Sequence, residues 1–171
     1  MPRYAAETTV PVERTRAEIE STLIRYGANE FQTGWRENQA MIAFRLGALF
    51  IRFVLPIPKR DERRFTHKKS RYGYEQKCSE KQAEAAHAQE IRQRWRALLL
   101  TIKAKLEAVE CGISTVEQEF LAFIVMPNQI TIGEWMIDGL AMIAAGEMPK
   151  MLTGPKVADA QDAEFEVHAT T

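Results

Sequence analysis

Two neighbouring stretches in the first third of the chain alternate apolar and polar residues with a period of two, which predicts a β-hairpin. The apolar positions are Ile42, Phe44 and Leu46 in the first stretch and Leu49, Ile51, Phe53 and Leu55 in the second. Gly47-Ala48 lies between them, and a glycine at the first loop position favours a type II′ turn. The predicted register therefore places Leu46 opposite Leu49.

A preceding stretch, residues 30–37, predicts a third strand joined to the hairpin through Asn38-Gln39. In that register Trp35 would lie opposite Ile42, and Phe31 opposite Leu46. The resulting three-stranded antiparallel meander has one almost wholly apolar face. Helices must cover such a face, because an exposed apolar sheet is not stable in water.

Four capping boxes predict where helices begin, because a Ser or Thr and a Glu or Gln three positions later satisfy each other's backbone N–H groups. They are Thr15/Glu18, Ser79/Gln82, Ser114/Glu117 and Thr131/Glu134. The helices would end near Tyr26, near Cys111, before Pro127 and near Gly146. The predicted fold is α+β: an N-terminal helix, the meander, one long helix and two shorter C-terminal helices. Residues 1–152 form one domain with a basic linker at 58–78, and 153–171 form an acidic, mobile tail.

The long predicted helix carries one apolar stripe at helical spacing, which contributes to the core or to an interface. The stripe consists of Ile91, Trp95, Leu98, Leu99, Ile102, Leu106 and Val109. Thirty residues of helix span about 45 Å, more than a small domain covers. Exposed apolar surface at Ile91, Trp95 and Leu99 therefore predicts a homo-oligomer. The two C-terminal helices are expected to pack into the core.

Motifs and composition exclude several functional classes. The sequence has no apolar run long enough for a membrane span and no signal peptide pattern, so we expect a cytoplasmic protein without membrane contact. Its 2 cysteines are too few for a disulfide framework. The spacing of His67, Cys78 and His87 fits no zinc module, and no motif of nucleophilic or nucleotide chemistry occurs. The sequence predicts no enzyme, no metal and no cofactor.

The formal net charge of zero conceals a strong asymmetry along the chain. Residues 1–106 hold 21 Lys and Arg against 12 Asp and Glu, a net charge of +9, whereas residues 107–171 hold 2 against 11, a net charge of −9. An anionic partner for the first part is one explanation. The other is that the two parts neutralise one another within the fold or across an oligomer.

Candidate contact residues lie on the polar face of the meander and in the basic linker. Arg45 and Arg52 would be diagonal neighbours on that face, which is unfavourable unless an anion lies between them. Basic residues interleaved with aromatic ones suit phosphate contacts and base stacking. An ordinary solvated surface, with the sheet arginines paired to acidic residues of the C-terminal half, accounts for the same composition. The predicted nucleic-acid-binding residues are Arg36, Arg45, Phe50, Arg52, Lys59, Arg60, Arg63, Arg64, Phe65, Lys68, Lys69, Arg71 and Tyr72.

These residues predict a non-enzymatic nucleic-acid-binding accessory protein that binds single strands. The alternative is a protein-interaction or inhibitor module whose basic surface binds an acidic host protein. The strings GWRENQAMIAF, IRFVLPIP and RWRALLLTIKAKLEAVECGIST resemble uncharacterised small proteins of bacteriophage and prophage genomes. That resemblance implies a phage or mobile-element origin and a host-cell cytoplasmic setting, and it implies no site residues. The element order is also loosely similar to the β-β-β-α core of single-strand annealing proteins.

Overall fold

Within the described residues, five α-helices and five strands build an α+β arrangement, as the sequence predicts. A computed structural model describes residue 5 and residues 7–70 and 73–147, apart from the side chains of residues 69 and 138. The elements are α1 Val12–Arg25, β1 Ala28–Arg36, β2 Gln39–Leu46, β3 Leu49–Pro56, α2 Arg63–Thr66, β4 His67–Lys69, β5 Glu75–Lys77, α3 Glu80–Glu110, α4 Val116–Phe120 and α5 Ile132–Ala144. Strands β1, β2 and β3 form one sheet in that order, and β4 and β5 form a second. The proposed tail lies outside the described residues.

The β2–β3 hairpin has the predicted register. Leu46 pairs with Leu49, and Ile42 pairs with Phe53. Gly47 has a φ of +59°, whereas Ala48 has no positive φ, which is the combination that a type II′ turn requires. The turn therefore fixes which side chains of β2 and β3 share a face.

Gly47→Val is expected to lower the free energy of unfolding by more than about 1 kcal/mol, because a β-branched residue is strained at positive φ. No atom lies within 4 Å of a Cβ at this position, so the cost arises from the backbone alone. Ala48→Val is the matched control and should have a small effect. Chemical denaturation measures both, and an equal stability of the two variants would refute the turn assignment.

The predicted register between β1 and β2 is wrong by two residues. The turn is Glu37-Asn38, and Trp35 pairs with Ala40 rather than with Ile42. A shift of two keeps every side chain on its predicted face, because side chains alternate with a period of two. It moves Trp35, however, to the end of the sheet, where the residue is 57% exposed.

The core lies between the apolar face of the sheet and helices α1 and α3. It includes Ile19, Leu23, Ile42, Phe44, Ile51, Trp95, Leu99, Ile102, Leu106 and Phe120. Trp95 and Leu99 are fully buried and Ile91 is half-buried, so the long helix does not leave the stripe exposed. The surface argument for a homo-oligomer is therefore wrong, because α1 and the sheet already cover this stripe.

The capping boxes predict the starts of α3, α4 and α5 to within one residue, whereas the predicted start of α1 is wrong. Ser79 and Thr131 cap α3 and α5 as predicted, whereas the third box is Thr115/Gln118, one position after Ser114/Glu117. Helix α1 begins at Val12, so Thr15 lies inside it and donates a hydrogen bond to the Pro11 carbonyl. The Thr15/Glu18 box does not form, because Glu18 contacts α3 instead.

The C-terminal region departs from the predicted pair of core helices. Helix α4 has 5 residues and ends well before Pro127, and Ile124 then pairs with Ile51 at the edge of β3. Phe120 of α4 is buried in the core, as expected. Helix α5 contributes no residue to the core cluster, and its Ile137 is 62% exposed. The prediction that α5 packs into the core is therefore wrong, because α5 packs on the Leu121–Phe123 turn, outside the core cluster.

The described residues of the basic linker include a short helix and a two-stranded ribbon. Helix α2 leads into β4, which pairs with β5 so that Lys68 lies opposite Gln76. A hydrogen bond from the Ser70 N–H to the Tyr74 carbonyl continues the ribbon beyond Lys69. Across the described residues, no helix is long and apolar enough to span a membrane.

Candidate nucleic-acid interface

The two arginines that the sequence placed diagonally on the polar face are stabilised by carboxylates. Arg45 pairs with Glu30 at 2.8 Å, and its guanidinium group lies 5.5 Å from the ring centre of Phe50. Arg52 pairs with Glu134 of α5 at 3.0 Å. No anion is needed between the arginines, since each has its own carboxylate, and the Arg52 partner comes from the acidic part of the chain as the alternative expects. Arg45 and Phe50 contact each other at the end of the sheet where the β2–β3 turn lies.

A groove of about 310 Å³ lies at the other end of the same face. It is lined by Gly34, Trp35, Arg36, Gln39, Met41, Arg52, Val54 and Glu134. Gly34, Met41 and Val54 follow one another across the three strands and form an apolar floor. A Cβ at Gly34 would lie 3.2 Å from the Met41 Cε atom, so the glycine keeps this floor open. The groove thus combines guanidinium groups with an apolar surface.

The two guanidinium groups of the groove differ in their surroundings. Arg36 is exposed and makes no ion pair with any described residue. Arg52 is half-buried and uses Nη2 for Glu134, while its buried Nε has no hydrogen-bond partner in the described part of the chain. Arg36 can therefore take an anion directly, whereas an anion at Arg52 competes with Glu134.

Glu134 is held in place by the start of α5. Its carboxylate accepts a hydrogen bond from the Thr131 N–H at 2.7 Å, as the capping box predicts. This backbone hydrogen bond, together with the nearby Arg52 guanidinium, holds the pKa of Glu134 below its ordinary value. The carboxylate is therefore ionised at neutral pH. The sequence analysis did not identify Glu134 as a site residue, because only the fold brings it to Arg52.

Most arginines of the basic linker are ion-paired. Arg60 lies 3.4 Å from Glu84, and Arg64 lies 2.8 Å from Glu62. Arg63 pairs with Glu75 across the ribbon base. The linker also holds three exposed lysines, Lys59, Lys68 and Lys77, for which the described residues provide no ion-pair partner. The lysines, more than the arginines, are thus available to an outside anion.

Among the described aromatic residues of the linker, Tyr74 is exposed, whereas Phe65, which was predicted to stack on a base, is buried. Phe65 is 5% exposed, and its ring packs edge-on against His87 at 5.3 Å. The stacking role given to Phe65 is therefore wrong. Tyr74 is 77% exposed on the ribbon. Of the remaining candidates, Arg71, Tyr72 and the Lys69 side chain lie outside the described residues.

The basic part of the chain is joined to the described portion of the acidic part by two ion pairs. Among the described residues, the ion pairs that join residues 1–106 to residues 107–147 are Arg52–Glu134 and Lys105–Glu119. Glu18 forms ion pairs with Lys103 and Arg96 of α3. The hydrogen bond from Lys103 makes the largest contribution to lowering the pKa of Glu18. These pairs show that Arg96 and Lys103 of the long helix make packing contacts within the basic part.

The histidines and cysteines do not assemble into a metal centre within the described residues. The His87 ring lies 2.8 Å from the Pro58 carbonyl oxygen, which fixes the chain after β3 onto α3. Comparisons of the chain with protein-family models, with curated proteins and with solved structures return no match. The charge and shape of the sheet groove and the ribbon are therefore the basis for assigning a function.

Proposed function

We propose that this protein is a non-enzymatic nucleic-acid-binding accessory protein of phage or mobile-element type that acts in the host cytoplasm. Its contact surface for single strands is the groove at the end of the polar sheet face. The observation that carries the proposal is the combination of Arg36 and Arg52 with an apolar floor in one open groove. Guanidinium groups bind phosphates, and an apolar surface accommodates unstacked bases.

Charge outside the groove supports the same partner. The first part of the chain has a net charge of +9, and only two described ion pairs connect it to the acidic part. Lys59, which follows β3 at the same end of the sheet as Arg36, is exposed. A positive field at this end attracts a polyanion and raises its rate of association. Glu134 and the exposed Glu37, which follows Arg36, oppose this field and set a limit on the affinity.

The proposal is tested by measuring the affinity for a fluorescent single-stranded oligonucleotide at a series of salt concentrations. Each phosphate neutralised contributes about −0.7 to the slope of log affinity against log salt. Arg36→Ala should flatten the slope by about 0.7, because one phosphate contact is lost. Glu134→Gln should steepen it by about 0.7, because it releases the Arg52 guanidinium while a glutamine preserves the capping box.

Arg14→Ala is the matched control, because Arg14 is an exposed arginine on α1 and not on the sheet. It should leave the slope unchanged. Slopes that are unaffected by Arg36→Ala and Glu134→Gln would refute the groove as the contact surface. If the wild-type protein binds neither DNA nor RNA at low salt, the proposed function is wrong. The alternative of an acidic protein partner would then replace it.

A further inference from the structure

One edge of the three-stranded sheet has no neighbouring strand within the described residues. The opposite edge, β3, is extended by the bridge between Ile51 and Ile124 and by a hydrogen bond from the Val125 N–H to the Phe50 carbonyl. Strand β1 is the first strand in the sheet order, and its backbone makes hydrogen bonds to β2 but to no other described residue. Such an unpaired strand edge is a template for one further strand.

The turn between β1 and β2 fixes which backbone groups of β1 point to the free edge. Arg36 pairs with Gln39 across this two-residue turn, and such a closing pair exchanges its N–H and C=O hydrogen bonds. Hydrogen-bonded and non-hydrogen-bonded pairs alternate along an antiparallel ladder. The backbone groups that point away from β2 therefore belong to Phe31, Thr33 and Trp35. Each of these residues offers one donor and one acceptor to an incoming strand.

The regular part of β1 is symmetric about its central residue. A shift in the pairing between Ala28 and Glu30 ends the regular register on one side, and the turn ends it after Arg36 on the other. Thr33 is the midpoint between Glu30 and Arg36. A second copy that pairs antiparallel along this whole part therefore places Thr33 opposite the partner's Thr33. In that register the outward backbone groups form about six hydrogen bonds between the two copies.

The side chains of β1 are complementary to themselves in this register. Glu30 lies opposite the partner's Arg36, and Phe31 lies opposite the partner's Trp35, and both kinds of cross-strand pair stabilise a sheet. Arg36 is exposed and makes no ion pair with any described residue. Glu30 uses Oε1 for Arg45 of its own copy, so its second oxygen can accept from the partner's Arg36. Pairing also covers Trp35, which is otherwise largely exposed to water.

We propose that two copies of this chain pair through the free edge of β1 and form a homodimer, which joins the two three-stranded sheets into one. Two-fold symmetry repeats each contact, so the dimer contains the Glu30–Arg36 pair and the Phe31–Trp35 pair twice. The interface is the sheet edge and not the apolar stripe of α3, which is covered within one copy. The dimer does not depend on the proposed nucleic-acid binding, although it uses the Arg36 guanidinium group that also lines the sheet groove.

Analytical ultracentrifugation of the full-length protein from micromolar to millimolar concentration, without nucleic acid, tests the inference. Wild-type protein should change reversibly from monomer to dimer over this range. Arg36→Glu should weaken the dimer about tenfold, because both pairs of opposite charge become pairs of like charge. Glu30→Arg should weaken it to a similar extent for the same reason. A mixture of the two variants should associate again, since every glutamate then lies opposite an arginine of the other chain.

Thr33→Pro tests the backbone contacts independently of charge. It removes the central outward N–H and keeps every N–H that bonds to β2, so the variant should fold and remain monomeric. Lys81→Glu is the control for charge reversal, because Lys81 is an exposed lysine at the start of α3 and does not belong to the sheet. It should dimerise like the wild type. Thermal melting confirms that each variant is folded.

A wild-type protein that stays monomeric up to millimolar concentration would overturn the inference, and the edge would then be open to a different extended partner. Charge variants that fail to associate on mixing would also overturn it, as would an equal loss in Lys81→Glu. If Thr33→Pro does not fold, the exchange of charges decides alone. None of these measurements contains nucleic acid, so their failure leaves the proposed function to its own salt titration.

Discussion

Trp95→Ala is expected to lower the free energy of unfolding by about 3–5 kcal/mol, the range for deleting a large buried aromatic side chain. Trp95 is 1% exposed and lies on α3 within the core cluster. The guanidinium carbon of Arg16 is 5.8 Å from the ring centre, so the variant also loses a cation–π contact. Because domains of this size are stable by about 5–15 kcal/mol, the variant should lose between a fifth and all of its stability.

Two comparisons make the Trp95 prediction specific. Trp35→Ala removes the same side chain from a largely exposed position at the end of β1 and should cost less than about 1 kcal/mol. Trp95→Phe should cost less than Trp95→Ala, because the indole Nε1 has no hydrogen-bond partner among the described residues and phenylalanine lacks that donor. Urea denaturation measures all three. Similar losses for Trp35→Ala and Trp95→Ala would contradict the described core.

Gly133→Ala is expected to destabilise the protein by about 1–3 kcal/mol, although alanine is normally the better helix former. A Cβ at Gly133 would lie 2.7 Å from the Ala122 carbonyl oxygen, which is backbone and cannot move aside by a simple side-chain rotation. The helix must therefore move away from the Leu121–Phe123 segment on which it packs. Since Glu134 is the next residue, its contact with Arg52 should weaken as well.

Ala144→Gly is the control for the Gly133 substitution, since Ala144 is exposed near the end of the same helix. Normal helix propensity makes this glycine variant less stable than the wild type by at most about 1 kcal/mol. Both variants should thus be destabilised, although one gains an alanine and the other loses one. A Gly133→Ala protein with a raised melting temperature would show that α5 does not pack closely on the preceding segment.

Local sequence patterns were sufficient for the β2–β3 hairpin and for the long helix. Gly47 needs a positive φ, and the alternation on either side of it leaves one register that keeps the apolar residues on one face. Ser79 and Gln82 satisfy each other at the start of α3, which is a contact over three positions. Such features are predictable because every group involved lies within a few residues of its partner.

The candidate site was predictable only in its composition. The sequence places Arg36 and Arg52 on the polar face by periodicity, and the fold agrees. It does not reveal that Glu134 neutralises Arg52, since the two residues are 82 positions apart. It also does not reveal that the linker forms a ribbon with Lys68 beside Gln76. Ion pairing and pairing of short strands depend on which segments meet in space.

The sequence by itself determined the period-two faces of the meander, the type II′ turn, the extent of the long helix and the separation of charge along the chain. Tertiary structure alone decided that Phe65 is buried against His87 and that Trp35 is exposed at the end of β1. The physical reason is that periodicity and capping act between near neighbours in the sequence, whereas burial depends on which distant segments pack against a residue. A shift of two residues in the β1–β2 register preserved the faces, and it nevertheless moved a tryptophan from the predicted core to the surface.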